Sequence, residues 1–304
     1  MEVVSSDWQL DGFKNDLDIS GIASVDGSRC LVVSDEGLHV QPALIDLASQ
    51  TITATRAVRV SPIVKSKKSE IDFEGATYSE TTNSYFVVGS HGLGGSDSEF
   101  DPNRFSLFQI GVDPETGRID AADMRRASLL PWIKSNPITA PFVRKPLEEN
   151  GFDIEGIATV GDDLYFGLRG PNHEGDCLIL QIGITTLFEE TGGDLIVHRL
   201  PLGKGRGLRD ITPVQGGFLF IAGDGSAKVN GKKSKKRYDL FFWDGKNDKP
   251  ENLGTLPKND GKAEALLVLE DSASEIDVIV LFDSLPGGAP LQVQLRRADP
   301  LTTR

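Results

Sequence analysis

Glu74 and Glu155 occupy the same place in two copies of one phrase, Asp72-Phe-Glu-Gly-Ala-Thr and Asp153-Ile-Glu-Gly-Ile-Ala. A third copy, Asp18-Ile-Ser-Gly-Ile-Ala, puts Ser20 there. Two looser ones, Gly207-Leu-Arg-Asp-Ile-Thr and Lys262-Ala-Glu-Ala-Leu-Leu, put Arg209 and Glu264 there. A second set of polar residues ends the apolar run after each phrase: Asp35, Ser90-His91, Arg169-Gly170, Asp224 and Asp283-Ser284. Oxygen donors without cysteine and with few histidines suit calcium or magnesium rather than zinc. Glu74, Glu155, Glu264, Asp224 and Asp283 are the candidate ligands. A cation held there would polarise a substrate oxygen or acidify a bound water. Arg169 and Arg209 would grip an anionic group, with His173 of Arg169-Gly-Pro-Asn-His nearby. His91, in the glycine-rich Gly89-Ser-His-Gly-Leu-Gly loop, has the right range for a general base and would move the proton, with Glu155 the other candidate catalytic residue. The plainer reading is that these acids pair with the arginines and with backbone amides, holding repeat to repeat. For Asp72 and Asp153 the plain reading is preferred, each carboxylate tying its own turn.

The steps between Ser20, Glu74, Glu155, Arg209 and Glu264 are 54, 81, 54 and 55 residues. A period of that size filled with short strands predicts radial repetition of a four-stranded unit, an all-β propeller. The third repeat sets the pattern, with strands over Ile154–Val160, Leu164–Leu168, Cys177–Thr185 and Leu195–Leu202. Strict counting gives five blades. The long step also admits a sixth, hidden between Glu74 and Glu155, where the His91–Asp101 and Pro131–Asn150 segments otherwise read as loops over one face. The last repeat stops one strand short, and Glu2–Leu10 is the expected outer strand that closes the ring. The whole of 1–304 then reads as a single domain. Because strands one and two of a blade run antiparallel, the start of the first and the end of the second meet on one face. That step of topology gathers the charged residues around one channel mouth.

Composition agrees. The 33 glycines and 16 prolines suit many tight turns, and 38 % apolar residues suffice for small packets of core between neighbouring sheets. A net charge of −13 disfavours general attraction to nucleic acid or anionic membrane. Cys30 and Cys177 sit in apolar runs of different repeats and read as buried thiols. The first residues lack the basic and long apolar stretches of a signal peptide, and no apolar run approaches the ~20 residues of a membrane span, so a cytoplasmic location is expected. A nucleophile elbow, HExxH and a phosphate-binding GxxxxGK[ST] are absent from the sequence. Gly203-Lys-Gly-Arg-Gly-Leu precedes a strand rather than a helix. The basic run Lys228–Arg237 reads as a solvated loop or, more sharply, as a clamp for an acidic ligand.

The Asp-[Phe/Ile]-Glu-Gly phrases, followed by Tyr85-Phe-Val-Val-Gly or Tyr165-Phe-Gly-Leu-Arg-Gly-Pro, resemble a bacterial propeller family of unknown function related to the esterase-like phytase and SdiA-regulated propellers. The resemblance runs from about Asp18 to Ser284 and is strongest over Asp153–Pro171. It implies a calcium-supported phosphoester or ester hydrolysis site at the Glu-Gly-bearing mouth. Ser20 and Arg209 depart from the pattern by replacing glutamate. Two functions are therefore expected: a metal-assisted hydrolase of a small phosphorylated or carboxylated molecule, or a non-catalytic module. In the second, Pro131–Asn150 and Lys228–Arg237 would be contact loops for a protein or a small signal molecule.

Overall fold

Five clusters of buried apolar side chains form the core, one at each junction between neighbouring blades. The computed structural model describes residues 1–65, 70–94, 99–225 and 237–297, and the backbone of 228–229 and 232–233. The Lys228–Arg237 run therefore lies almost wholly outside the described residues.

Each blade is an antiparallel sheet built outwards from the axis. Blade 1 begins with Ile19–Ser24, Arg29–Ser34, His39–Asp46 and Thr51–Ala54. Blade 2 has Phe73–Ser79, Ser84–Gly89, Leu107–Val112 and Ile119–Ala127, and blade 3 has Asp153–Val160, Asp163–Gly170, Cys177–Gly183 and Ile196–Leu200. Blade 4 comprises Arg206–Val214, Gly217–Asp224, Asp239–Trp243 and Glu251–Thr255. Blade 5 has Lys262–Asp271, Glu275–Asp283 and Leu291–Arg296, and its fourth strand is Glu2–Ser5. Sheets covered on both faces need apolar side chains on both, which is why Cys177-Leu-Ile-Leu and Val278-Ile-Val-Leu-Phe are unbroken apolar runs.

The expected closing strand divides in two. Glu2–Ser5 pairs antiparallel with Leu291–Arg296. After Trp8, Gln9–Asp11 runs parallel to Thr51–Ala54 on the outside of blade 1. Trp8 is buried between them and donates its Nε1–H to Gln292 Oε1 at 2.8 Å. One short segment thus staples the last blade to the first.

The 130–150 insertion holds no sixth blade. It forms a helix, Leu130–Ser135, and two single turns, Ala140–Phe142 and Leu147–Glu149. Leu129, Ile133 and Val143 join the core between blades 2 and 3, so the segment is packed rather than draped. No helix among the described residues is long and apolar enough to cross a membrane. Both cysteines are buried and free.

One detail repeats in all five blades. The ladder between first and second strand slips by one residue, at Ser20, Glu74, Glu155, Arg209 and Glu264 in turn. Each is the extra residue of a β-bulge, a device that bends a strand and re-aims a side chain. The glycine that follows is needed for close approach. A Cβ on Gly21 would lie 2.8 Å from Gly75 Cα, on Gly75 3.1 Å from Gly156 Cα, and on Gly156 2.7 Å from Ile211 N. The inner strands of blades 1 to 4 touch backbone to backbone around the axis. At the fourth position Asp210 replaces glycine and bridges instead. Its Oδ1 accepts from Ile211 N–H and its Oδ2 from Leu266 N–H of blade 5, both at 2.7 Å.

Candidate functional site

The bulges place Glu155, Arg209 and Glu264 in one ion-paired lattice across three blades. Glu155 Oε1 accepts from Arg169 Nη1 at 2.6 Å, and its Oε2 lies 3.0 Å from Arg209 Nη2. Arg209 also pairs with Glu264. Arg209 and Glu155 are each only 2 % exposed. Arg169 further reaches Asp153 at 3.6 Å and donates Nε–H to the Gly225 carbonyl at 3.1 Å. Although burial works against its charge, Glu155 and Asp153 raise the pKa of Arg169 further. The next cation round the ring is Lys262, which pairs with Asp283 and lies 4.0 Å from Glu264. On the far side Arg104 pairs with Asp72 and, at 3.1 Å, with Glu70.

Two carboxyls stand outside this pattern. Glu74 is half-buried at the bulge of blade 2 and makes no ion pair or hydrogen bond among the described residues. Burial first, and then the charges of Glu155, Asp72, Asp153 and Asp35, push its pKa well up. Asp35, at the end of the second strand of blade 1, is half-buried with an unpartnered Oδ1. Burial, with Asp283, Asp72 and Asp18 nearby, pushes its pKa up to about 7. Glu74 and Asp35 thus lack the close ion pairs that Glu155 and Glu264 make with arginine, although Glu155 Oε2, too, has only the ion pair with Arg209 and no hydrogen bond.

The raised Asp35 pKa has a measurable sign. A carboxyl whose folded pKa exceeds its ordinary value of 3.8 binds more protons folded than unfolded in between. Stability therefore falls as pH rises from about 4 to about 7 and stays lower above. Asp35→Asn is expected to be more stable than the parent chain above pH 7, with the gain vanishing near pH 4. Thermal unfolding of both proteins from pH 4 to pH 8 tests it, and equal curves at pH 8 would show that folding does not raise the Asp35 pKa.

Other expected site residues are placed differently. His91 is fully buried, its backbone in the left-handed region with φ 51°. Nδ1 is 2.9 Å from the Gly89 carbonyl, and Nε2 accepts from the Leu129 N–H at 3.1 Å. Burial lowers its pKa to about 4. The ring pins the start of the 130–150 insertion to blade 2 and presents no nitrogen to the mouth, so its place does not suit a general base. Glu155, the other candidate catalytic residue, has both oxygens ion-paired with arginines. Arg209 and Arg169 are engaged by carboxylates rather than open to an anion. His173 sits in a tight loop bridged to Asp176, its ring edge on Phe142 and Nδ1 3.7 Å from Glu174. Asp72 and Asp153 pair with Arg104 and Arg169 rather than tying their own turns.

For the expected metal centre, Glu74, Glu155, Glu264 and Asp283 do lie at the channel end, and Asp224 ends the second strand of blade 4 opposite Arg206. Among the described residues no three of His, Cys, Asp and Glu converge closely enough to hold a metal ion. Glu155, Glu264 and Asp283 already have cationic partners. The carboxylates present therefore do not fit a calcium centre built from that set. Lys262 and Arg104 went unnoticed in the sequence. Lys262 was legible as the residue that opens the fifth phrase, two before Glu264. Arg104 carried no local signal.

A five-bladed propeller with a charge-paired channel is the class that this architecture and site define. By sequence the chain belongs to the family described as protein of unknown function (DUF3616), whose model matches residues 114–287. No curated protein matches the chain. Among solved structures it is similar to the periplasmic gluconolactonase PpgL of Pseudomonas aeruginosa, at 14 % identity and a TM-score of 0.42, covering 87 % of this chain and 65 % of that one. The chain thus spans just under two thirds of the length of PpgL. It is also similar to a Lactobacillus plantarum protein, at 12 % identity and a TM-score of 0.38, covering 91 % of this chain and 70 % of that one.

Proposed function

We propose that the protein is a ligand-binding propeller whose working end is the acidic mouth, and that its ligand carries positive charge. One observation supports this reading above the rest: Glu74, at the bulge of blade 2, is partly reachable by solvent and makes no close ion pair among the described residues, feeling Arg104 and Arg169 only at longer range. Around it, among the described residues, Asp72, Asp153, Glu155, Glu264 and Asp283 pair with Arg104, Arg169, Arg209 and Lys262, and Asp35 makes no ion pair. Like charges gathered in a concave, partly dry site are relieved by a bound cation. The engagement of Arg169 and Arg209 speaks against the phosphorylated or carboxylated substrate first expected. A resemblance to phytase-like propellers would point to calcium, whose coordination these carboxylates do not meet, and organic cations satisfy the same charge.

A hydrolytic reading keeps one specific support. Asp35 titrates near neutrality, where a carboxyl can both give and take a proton at a bound ester. In that case Asp35 takes the part first assigned to His91.

Thermal unfolding with calcium, magnesium and methylammonium, set against phosphate and citrate at equal ionic strength, tests the primary reading. At a hundredfold excess over Kd a ligand adds about 2.7 kcal/mol, a rise of a few degrees. That rise is expected with at least one cation and is expected to disappear in Glu74→Gln. Stabilisation by the anions alone would overturn the reading. For the hydrolytic alternative, any ester turnover that survives Asp35→Asn unchanged removes it.

A further inference from the structure

Away from the mouth, a cleft of about 290 Å³ opens between blades 1 and 2. Its charged lining is Arg29, Arg56 and Arg118, and neither Asp nor Glu lines it. In a chain of net charge −13 that is a local reversal of sign. Arg29 opens the second strand of blade 1, at the end of the ring opposite the mouth. It pairs with Asp26 and donates to the carbonyls of Pro114, at 2.8 Å, and Glu115 in the outer hairpin of blade 2. Those bonds tie the two walls together and use up the Arg29 guanidinium. Arg56, in the link after Thr51–Ala54, and Arg118, just before Ile119–Ala127, are exposed and make no ion pair among the described residues. Asp113 feels Arg118 only at longer range. The floor is apolar: Cys30, Ala43 and Tyr85 are each 2 % exposed. Leu44, Val58 and Ile119 line the sides, and Leu44 is 54 % exposed. The Tyr85 hydroxyl makes no hydrogen bond among the described residues, although buried phenols usually find a partner. Burial raises its pKa and keeps it a neutral donor, and the phenol interacts with Cys30 and Arg29, both lining residues.

We propose that this cleft binds a small carboxylate with an apolar body, the carboxylate paired with the free guanidinium groups of Arg56 and Arg118 and the body laid on Tyr85 and the aliphatic walls. Arginine offers a carboxylate two parallel N–H donors, and the Tyr85 hydroxyl supplies a further donor inside the cleft. A bare phosphate would match the arginines and leave the apolar floor uncovered. A neutral hydrocarbon would cover the floor and leave the arginines unpaired. The volume stands at the lower end of ligand pockets, about 300 Å³, and so suits a body of a few carbons or one ring. None of the lining residues belongs to the acidic mouth, so the site is independent of the cation-binding reading.

Titration calorimetry at pH 7 with hexanoate, acetate, 1-hexanol and inorganic phosphate, at matched ionic strength, separates the outcomes. Hexanoate is expected to bind. Acetate and phosphate, which lack the body, and hexanol, which lacks the charge, are each expected to bind at least about tenfold more weakly. Arg56→Gln combined with Arg118→Gln is expected to weaken hexanoate by about tenfold or more, as for lost charge-assisted hydrogen bonds. Both side chains are exposed, so the fold is expected to survive that change. Tyr85→Phe is expected to weaken hexanoate by about fivefold, the worth of one hydrogen bond. Phosphate bound as tightly as hexanoate would reduce the cleft to a patch for adventitious anions and overturn the proposal. Hexanol bound as tightly would overturn it too, since the arginines would then have no part. Unchanged affinity in the double arginine variant or in Tyr85→Phe would place the ligand elsewhere, and absence of hexanoate binding would remove the site altogether.

Discussion

Arg209→Met is expected to destabilise the protein by about 3 kcal/mol or more, the range for breaking a buried ion pair from one side. Arg209 sits between Glu155 and Glu264, and all three are buried at the axis. Methionine matches much of the length of arginine, so packing changes little and the loss reports on charge. Arg169 still holds Glu155 and Lys262 still lies near Glu264, which keeps the cost at the lower end of that range. The companion variant Arg209→Met with Glu155→Gln and Glu264→Gln removes the stranded charges and is expected to recover most of the loss. Urea unfolding of the three proteins is the measurement. A cost below about 1 kcal/mol, typical of an exposed pair, would mean that water reaches the lattice and that its carboxylates are available to ligands after all.

Removal of residues 1–11 is the other large change. It deletes the outer strand of blade 5, the parallel strand on blade 1 and the buried Trp8. Loss of a buried tryptophan alone costs about 3–5 kcal/mol, and two sheet edges are newly exposed. The shortened chain is therefore expected to melt well below Trp8→Ala and to associate through its open edges, visible by light scattering. A monomeric product as stable as Trp8→Ala would show that the ring closes without its staple.

The period of the Glu-Gly phrases was enough to read the ring, and the reason is local. A bulge followed by glycine is the solution wherever inner strands must touch, so the phrase at Gly21, Gly75 and Gly156 repeats with the blades. The bulge residues were legible as channel residues on the same grounds. The closing strand was legible only as a missing piece, because its pairing joins residues nearly 300 positions apart, such as Val3 and Val293. Its break at Trp8, with the second half crossing to blade 1, left no trace in the alternation.

Backbone spacing along one chain makes the repetition, most of the strands and the bulge residue of each blade readable from the residues alone. That the blades number five rather than six rests on the packing of the 130–150 insertion, and the pairing of the charges rests on distances across blades. Long side chains choose partners by distance and angle across blades: Arg209 takes Glu155 and Glu264, Arg104 takes Asp72, and Glu74 is left over. His91 turned inward because its backbone lies in the left-handed region and the insertion supplied a partner for its ring. Coulomb energy between such groups depends on separation and burial rather than on residue type, so the same residues could have been a metal centre or a frame until their positions were known.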